Sequence, residues 1–158
     1  AQFLPVFEDF YARLSGEAER PGLEYKAGLD IEQASMQFRE ARQKDLLLQY
    51  TSLGPHRDDL LFLLDEHPLK RFASQGQQKS YLAALKLAEH QFLKEKNGRT
   101  PLLLLDDVFD KLDPFRVQRL LELATGSVFW QTIVTDTGEQ KLQEVLQKIA
   151  IEARFFEL

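Results

Sequence analysis

The sequence contains no cysteine, which excludes disulfides, thiolate metal sites and a cysteine nucleophile. No apolar run approaches the ~18 to 20 residues that a membrane-spanning helix needs, and mean hydropathy is -0.34. The first ten residues, AQFLPVFEDF, carry neither a basic stretch nor a small-residue cleavage site, so no signal peptide is expected. With no cysteine and no leader, the expected address is cytoplasmic. There is no basic excess either, since net charge is -5 and the isoelectric point is near 5.3. Neutralising phosphates drives nucleic-acid affinity. This chain alone should therefore bind DNA poorly, and any positive surface would come from another segment or from an oligomer. Repeats and low-complexity tracts are also absent.

What is present suffices for one domain: 158 residues, 44% hydrophobic, with 12 Phe to build a core. Phe7, Phe10, Tyr11 and Leu14 recur at helical spacing, and Ser15-Gly16 should end that helix. Arg20-Pro21-Gly22 reads as a turn before a short strand, Leu23 to Lys26. Asp30 is placed to cap a polar helix running to about Arg42, with Ala34, Phe38 and Ala41 as its thin apolar stripe. Leu46 to Leu53 reads as a strand, Gly54-Pro55 as a turn, and Leu60 to Leu64 as a second strand. A helix should then run from Gly76 to Lys96, stopped by Asn97-Gly98. Leu102 to Leu105 has the pattern of a strand buried on both faces. Asp113-Pro114 opens another helix, with Val117, Leu120, Leu121 and Ala124 turned inward and Gly126 beyond its end. Val128 to Val134 is expected as a strand with Trp130 in the core, Gly138 to Ala150 as a helix, and Ile151 to Leu158 as a last strand. Strand and helix alternate from Leu102 onward, so the expected class is α/β with a mostly parallel sheet and flanking helices. Ligands in such sheets gather at the C-terminal ends of the strands.

Two features carry chemistry. Leu102-Leu103-Leu104-Leu105 drives a strand inward, and Asp106-Asp107 brings two carboxylates out at its C-terminal end. Adjacent acids repel and need a cation or a shared proton. A phosphate-bound Mg²⁺ held by one acid, with the other orienting water, meets that need. A solvated pair opening a turn is the plainer alternative. In Ser74-Gln75-Gly76-Gln77, Ser-x-x-Gln fits a reciprocal capping box. The same helix start also offers bare N–H groups and a positive dipole end to a phosphate. Capping alone and capping plus phosphate binding both stay open. His56-Arg57-Asp58-Asp59 reads best as a strand-connecting turn with Arg57 paired to a neighbouring Asp. Lys70, Arg71 and Lys79 flank the Ser74 turn, as phosphate contacts or as solvated charges.

The order Ser-x-Gly-Gln, long helix, apolar strand ending Asp-Asp, Asp-x-x-Asp, further strand resembles the C-terminal lobe of ABC-type ATPase heads. Ser74-Gln75-Gly76-Gln77 is similar to their signature, which has Gly where Gln75 stands. Leu102 to Asp106 is similar to Walker B, with Asp107 in place of the usual Glu, and Asp110-Lys111-Leu112-Asp113 resembles the D-loop. Within that superfamily, residues 46 to 136 resemble the RecF family, and residues 1 to 45 match the end of its helical arm in character. A division at 45/46 into arm and ATPase lobe is implied.

That resemblance implies a protein that dimerises on ATP, binds gapped DNA and works with RecR and RecO to place RecA, in DNA repair, recombination and the SOS response. Asp106 would organise Mg²⁺ and Asp107 would act as the catalytic base or position the attacking water. Ser74, Gln75, Gly76 and Gln77 would close on the γ-phosphate held by the other subunit. Asp113 would sit at the dimer seam, and Thr135 occupies the switch position where many ABC ATPases have His, implying slow hydrolysis. The P-loop, Gly-x-x-x-x-Gly-Lys-Ser/Thr, does not occur in the chain. It is expected roughly 150 to 200 residues upstream, and the chain alone is expected to be inactive. The rival readings are another ABC or SMC-like head, a non-catalytic partner-binding lobe, and a metal nuclease on Asp58, Asp59, Asp106 and Asp107.

Overall fold

The computed structural model describes residues 2–16, 19–108, 110–126, 129 and 131–156. Helix α1, Phe3–Ser15, forms on the expected stripe, with Phe7, Phe10, Tyr11 and Leu14 all buried. Gly16 ends it at φ +87°, the left-handed conformation glycine adopts most easily, and donates its N–H to Ala12 O. Strand β1, Pro21–Lys26, pairs antiparallel with β2, Asp59–Leu64, which also pairs with the short β3, His67–Pro68.

Between β1 and β2 lies α2, Ala34–Leu48, and here two expectations fail. Asp30 does not cap the helix; its carboxylate accepts the Glu32 N–H in the preceding turn, and Gln33 stands uncapped at the helix start. The strand expected over Leu46 to Leu53 is absent, because the helix runs on through Leu48. A short leucine run fits either state, and extending a helix already formed is easier than starting a strand with no neighbour to pair with. Gln49, at φ +58°, ends α2, and the Asp45 carboxylate accepts the Ser52 N–H beyond it. No residue of α2 is buried. The division expected at 45/46 falls inside this helix.

After α3, Leu69–Phe72, the long α4 runs Gln75–Asn97 and stops at Gly98, φ +66°. Strand β4, Leu102–Asp106, and β5, Gln131–Thr135, form a two-stranded parallel sheet, joined through α5, Pro114–Ala124. Helix α6, Glu139–Lys148, follows. The parallel part of the fold is thus small, and the β1–β2–β3 sheet is antiparallel. The expected start of β5 at Val128 and the core position of Trp130 lie outside the described residues.

β4 is not buried on both faces. Leu103 is 2% exposed, but Leu104 is 66% exposed and its register partner Ile133 43%. A parallel strand is buried twice only when helices cover both sides, and the core residues of α4, α5 and α6 all lie on the Leu103 side. Nor do residues 151–156 form a strand. The Ile151 N–H turns back to Leu146 O, closing α6, and beyond it the segment pairs with no strand among the described residues, with Phe156 82% exposed; residues 157 and 158 lie outside the described set.

Two apolar clusters share α5. Leu120, Leu123 and Ala124 join α1, α4 and Leu103, while Val117 and Leu121 pack with Val145 and Leu146 of α6. In the larger cluster, Phe7 lies edge-on to Tyr81 with ring centroids 4.8 Å apart, and Tyr11 and Phe62 each lie 5.8 Å from the same ring. These aromatic contacts tie α1 and β2 to α4. They also fix the position of the α4 N-terminus.

Candidate functional site

Ser74 takes extended backbone angles and caps α4. Its hydroxyl accepts the Gln77 N–H at 3.2 Å, and the Gln77 side-chain oxygen accepts the Ser74 N–H at 2.6 Å. The capping box read from Ser-x-x-Gln is therefore present. Ser74 and Gln75 are exposed. At Gly76 a Cβ would lie 3.2 Å from Lys111 O and 3.4 Å from the Arg116 guanidinium, so glycine lets the turn after Asp110 sit closely against the start of α4, where a side chain would push it back by a few tenths of an ångström.

The two acids leave the sheet beside β5. Asp106 is in register with Thr135, whose hydroxyl donates to the Asp106 carboxylate. Asp107 has φ +49°, a left-handed backbone that Asp tolerates better than most residues. Its N–H donates to Thr135 O at 3.0 Å, and its carbonyl accepts from Asp110 N–H at 3.1 Å and from the Lys79 ammonium at 2.6 Å. Lys79 also lies 3.7 Å from Asp110. Among the described residues the Asp107 carboxylate has no hydrogen-bond or ion-pair partner. Asp113 caps α5, its Oδ1 accepting the Arg116 N–H at 3.0 Å.

Ser74–Gln77 and Asp106–Asp107–Asp113–Thr135, far apart in sequence, are thus drawn into one region by Lys79, Gly76 and Arg116. Three of its members escaped the sequence reading: Glu19, Ser80 and Arg116. The Glu19 carboxylate accepts the Gln77 side-chain N–H at 2.7 Å and the Tyr11 hydroxyl, and lies 3.9 Å from Arg116. Burial, and then the Glu19 carboxylate, push the Tyr11 phenol well above its ordinary range. No local pattern links Glu19 to Gln77, because 58 residues separate them. Ser80 is a buried hydroxyl on α4 that donates to Gly76 O.

His56-Arg57-Asp58-Asp59 lies elsewhere and forms a turn, but with two differences: it leads from α2 into β2 and does not connect two strands, and its Arg is not ion-paired among the described residues. Arg57 does not pair with a neighbouring Asp; its guanidinium sits 5.3 Å from the Tyr50 ring centroid. Asp58 is occupied instead by the Tyr25 hydroxyl and by the Gly28 N–H at 2.8 Å. These two donors hold the Asp58 carboxyl below the usual range. Among the described residues no three His, Asp or Glu converge as a metal site, so the four acids of the nuclease alternative do not assemble. A Mg²⁺ that borrows most of its ligands from phosphates and water needs only one or two carboxylates. Asp106, anchored by Thr135 at the strand end, fits that demand. No helix among the described residues is long and apolar enough to cross a membrane.

No family model matches the chain. It is 44% identical over 163 residues to the DNA replication and repair protein RecF of Phocaeicola vulgatus, an alignment covering 99% of this chain and 42% of that protein. RecF of Flavobacterium johnsoniae is 40% identical over 157 residues, covering 99% of this chain and 44% of that protein. Among solved structures, the recombination mediator protein RecF-ATP in the RecFOR pathway superposes with a TM-score of 0.69 at 27% identity, over 86% of this chain and 38% of that one. The RecF-ATPrS structure of the same pathway gives 0.66 at 26% identity, with the same coverage. The chain spans less than half the length of these relatives, and it is RecF-like along essentially all of its own.

Proposed function

We propose that this RecF-like chain forms the signature-bearing half of a composite ATP site, completed by the P-loop of a second subunit when two complete proteins close head to head. The observation that carries the proposal is the docking of the Ser74 turn onto the acid loop. Lys79 of the signature helix holds the Asp107 carbonyl at 2.6 Å, so the group facing the partner's nucleotide and the acids serving the subunit's own nucleotide share one rigid support.

In that arrangement Ser74, Gln75, Gly76 and Gln77 face the partner's γ-phosphate, using the helix N-terminus and its dipole. Thr135 fixes the Asp106 carboxylate, which holds Mg²⁺. Asp107, whose carboxylate has no partner among the described residues, orients or deprotonates the attacking water. Asp113 lies at the seam between subunits. Bound Mg²⁺ neutralises charge on the phosphates. The family likeness supports a role as a recombination mediator in the cytoplasm. That role is ATP-dependent homodimerisation at gapped DNA with RecR and RecO, helping to place RecA. With a net charge of -5 the chain itself is not the main DNA surface. Within it, the unburied α2 belongs to the arm and the region from β2 onward to the ATPase lobe.

The test is a pair of substitutions in the complete protein. Ser74→Asp keeps a good helix cap but sets a negative charge against phosphate. Ser74→Arg removes the cap, costing about 0.5 to 2 kcal/mol, and fills the interface. Both variants should bind nucleotide yet lose ATP-dependent dimerisation in sedimentation velocity. An Asp variant that dimerises normally would leave Ser74 as a cap only.

A further inference from the structure

We infer that Glu19, in the turn between α1 and β1, is a positioning residue that locks the signature turn to the D-loop of the same subunit. The inference rests on the composite-site reading above, and it adds a residue that belongs to no nucleotide-binding motif.

The Gln77 amide has one orientation that satisfies both of its neighbours. Its oxygen must face the Ser74 N–H at 2.6 Å, and its nitrogen must face the Glu19 carboxylate at 2.7 Å. Glu19 thereby holds the third residue of α4 and, through it, the backbone of Ser74. Its carboxylate is also 3.9 Å from Arg116, whose Nε lies 3.4 Å from Asp113. Arg116 further reaches the buried Ser80 hydroxyl of α4 at 3.4 Å. Both charged side chains are largely buried, Glu19 at 16% and Arg116 at 18% exposure. A chain of contacts thus runs Ser74, Gln77, Glu19, Arg116, Asp113, from the phosphate-facing turn to the dimer seam. The Tyr11 hydroxyl, donating to the same carboxylate, anchors the chain in the aromatic core.

This network accounts for a choice that capping alone does not. Glu serves as well as Gln at the third position of a capping box, and its charge suits a helix N-terminus. Beside Glu19, however, a second carboxylate would replace a hydrogen bond with repulsion between two poorly solvated charges. Residue 77 is therefore restricted to the amide by Glu19 and not by the helix.

The experiment exchanges the two side chains in the complete protein. Gln77→Glu should lower ATP-dependent dimerisation about three- to thirty-fold, the range of coupling through packed networks, with nucleotide affinity at the P-loop unchanged. The double variant Glu19→Gln, Gln77→Glu restores one acid and one amide in reversed positions; because it keeps a negative charge on the phosphate-facing turn, it should dimerise better than the single variant without reaching the parent. Recovery on reversal is a readout that a merely structural Glu19 does not produce. Should Gln77→Glu fail to fold, the double variant still decides, because recovery of both fold and dimerisation supports the lock. Normal dimerisation by Gln77→Glu, or a double variant no better than the single, overturns it. If Ser74→Arg loses dimerisation while Gln77→Glu does not, only the role of Glu19 falls. If Ser74→Arg dimerises normally, the composite-site reading itself fails.

Discussion

Replacing Asp107 by Asn separates the chemical role of that side chain from its structural one. The backbone there is at φ +49°. It is fixed by three hydrogen bonds: its N–H to Thr135 O, and its carbonyl to the Asp110 N–H and the Lys79 ammonium. Asn tolerates this left-handed conformation as Asp does, so the loop should keep its shape and stability should move by less than about 0.5 kcal/mol. Ala at the same φ should cost about 1 kcal/mol, because the left-handed region is less populated for Ala than for Asp or Asn. Among the described residues the carboxylate has no partner to lose, so nucleotide binding should survive both changes. Turnover should not. Removing a general base typically costs 10²- to 10⁴-fold, which is about 2.7 to 5.4 kcal/mol of barrier at 1.36 kcal/mol per decade. The assays are steady-state ATP hydrolysis, nucleotide titration and thermal melting of the complete protein. An Asn variant with near-normal turnover refutes the assignment, and equal loss of binding and turnover would make Asp107 a metal ligand or a structural residue.

Alkaline pH should weaken the fold through Tyr11 and Tyr81. Burial, aided by Glu19, raises the Tyr11 phenol, and burial pushes Tyr81 up to about 12. A phenol whose pKa is higher folded than unfolded stabilises the fold fully below the unfolded value near 10, and that contribution is lost as pH rises from there through the folded value. Urea unfolding from about pH 8 to 11 should therefore show stability falling above about 10, with a smaller fall in Tyr11→Phe; a flat profile in the parent contradicts this. In calorimetric titration with ATP and Mg²⁺, the 158-residue chain alone should give no measurable binding, because the phosphate cradle and its Lys are not among its residues. Micromolar affinity would contradict it.

The parts of the fold that the sequence made legible are those governed by local rules. The stripe Phe7–Leu14 with Gly16, the Ser74–Gln77 box and Asp113-Pro114 each state a helix and its end, and each is present. The failures share a physical cause, dependence on neighbours. Leu46–Leu48 suits helix or strand, and only the absence of a pairing strand decides it. Leu102 to Leu105 fits double burial, yet Leu104 stays 66% exposed where no helix covers that face. Residues 151–156 pair with no strand among the described residues. In the site, the motif residues were legible because their spacing is local. Glu19 and Arg116 were not, because what they do depends on residues 58 and 36 positions away.

The central claim, that the Ser74 turn acts on nucleotide held by the other subunit, is tested most directly by mixing two inactive proteins. One carries Ser74→Arg with an intact P-loop, and the other carries an intact signature with its P-loop Lys replaced. Each homodimer lacks a working site, whereas the mixed dimer joins one intact P-loop to one intact signature. Measured as ATP hydrolysis at increasing ratios, the mixture should recover activity that neither protein has alone. A mixture that stays as inactive as its components would contradict the account.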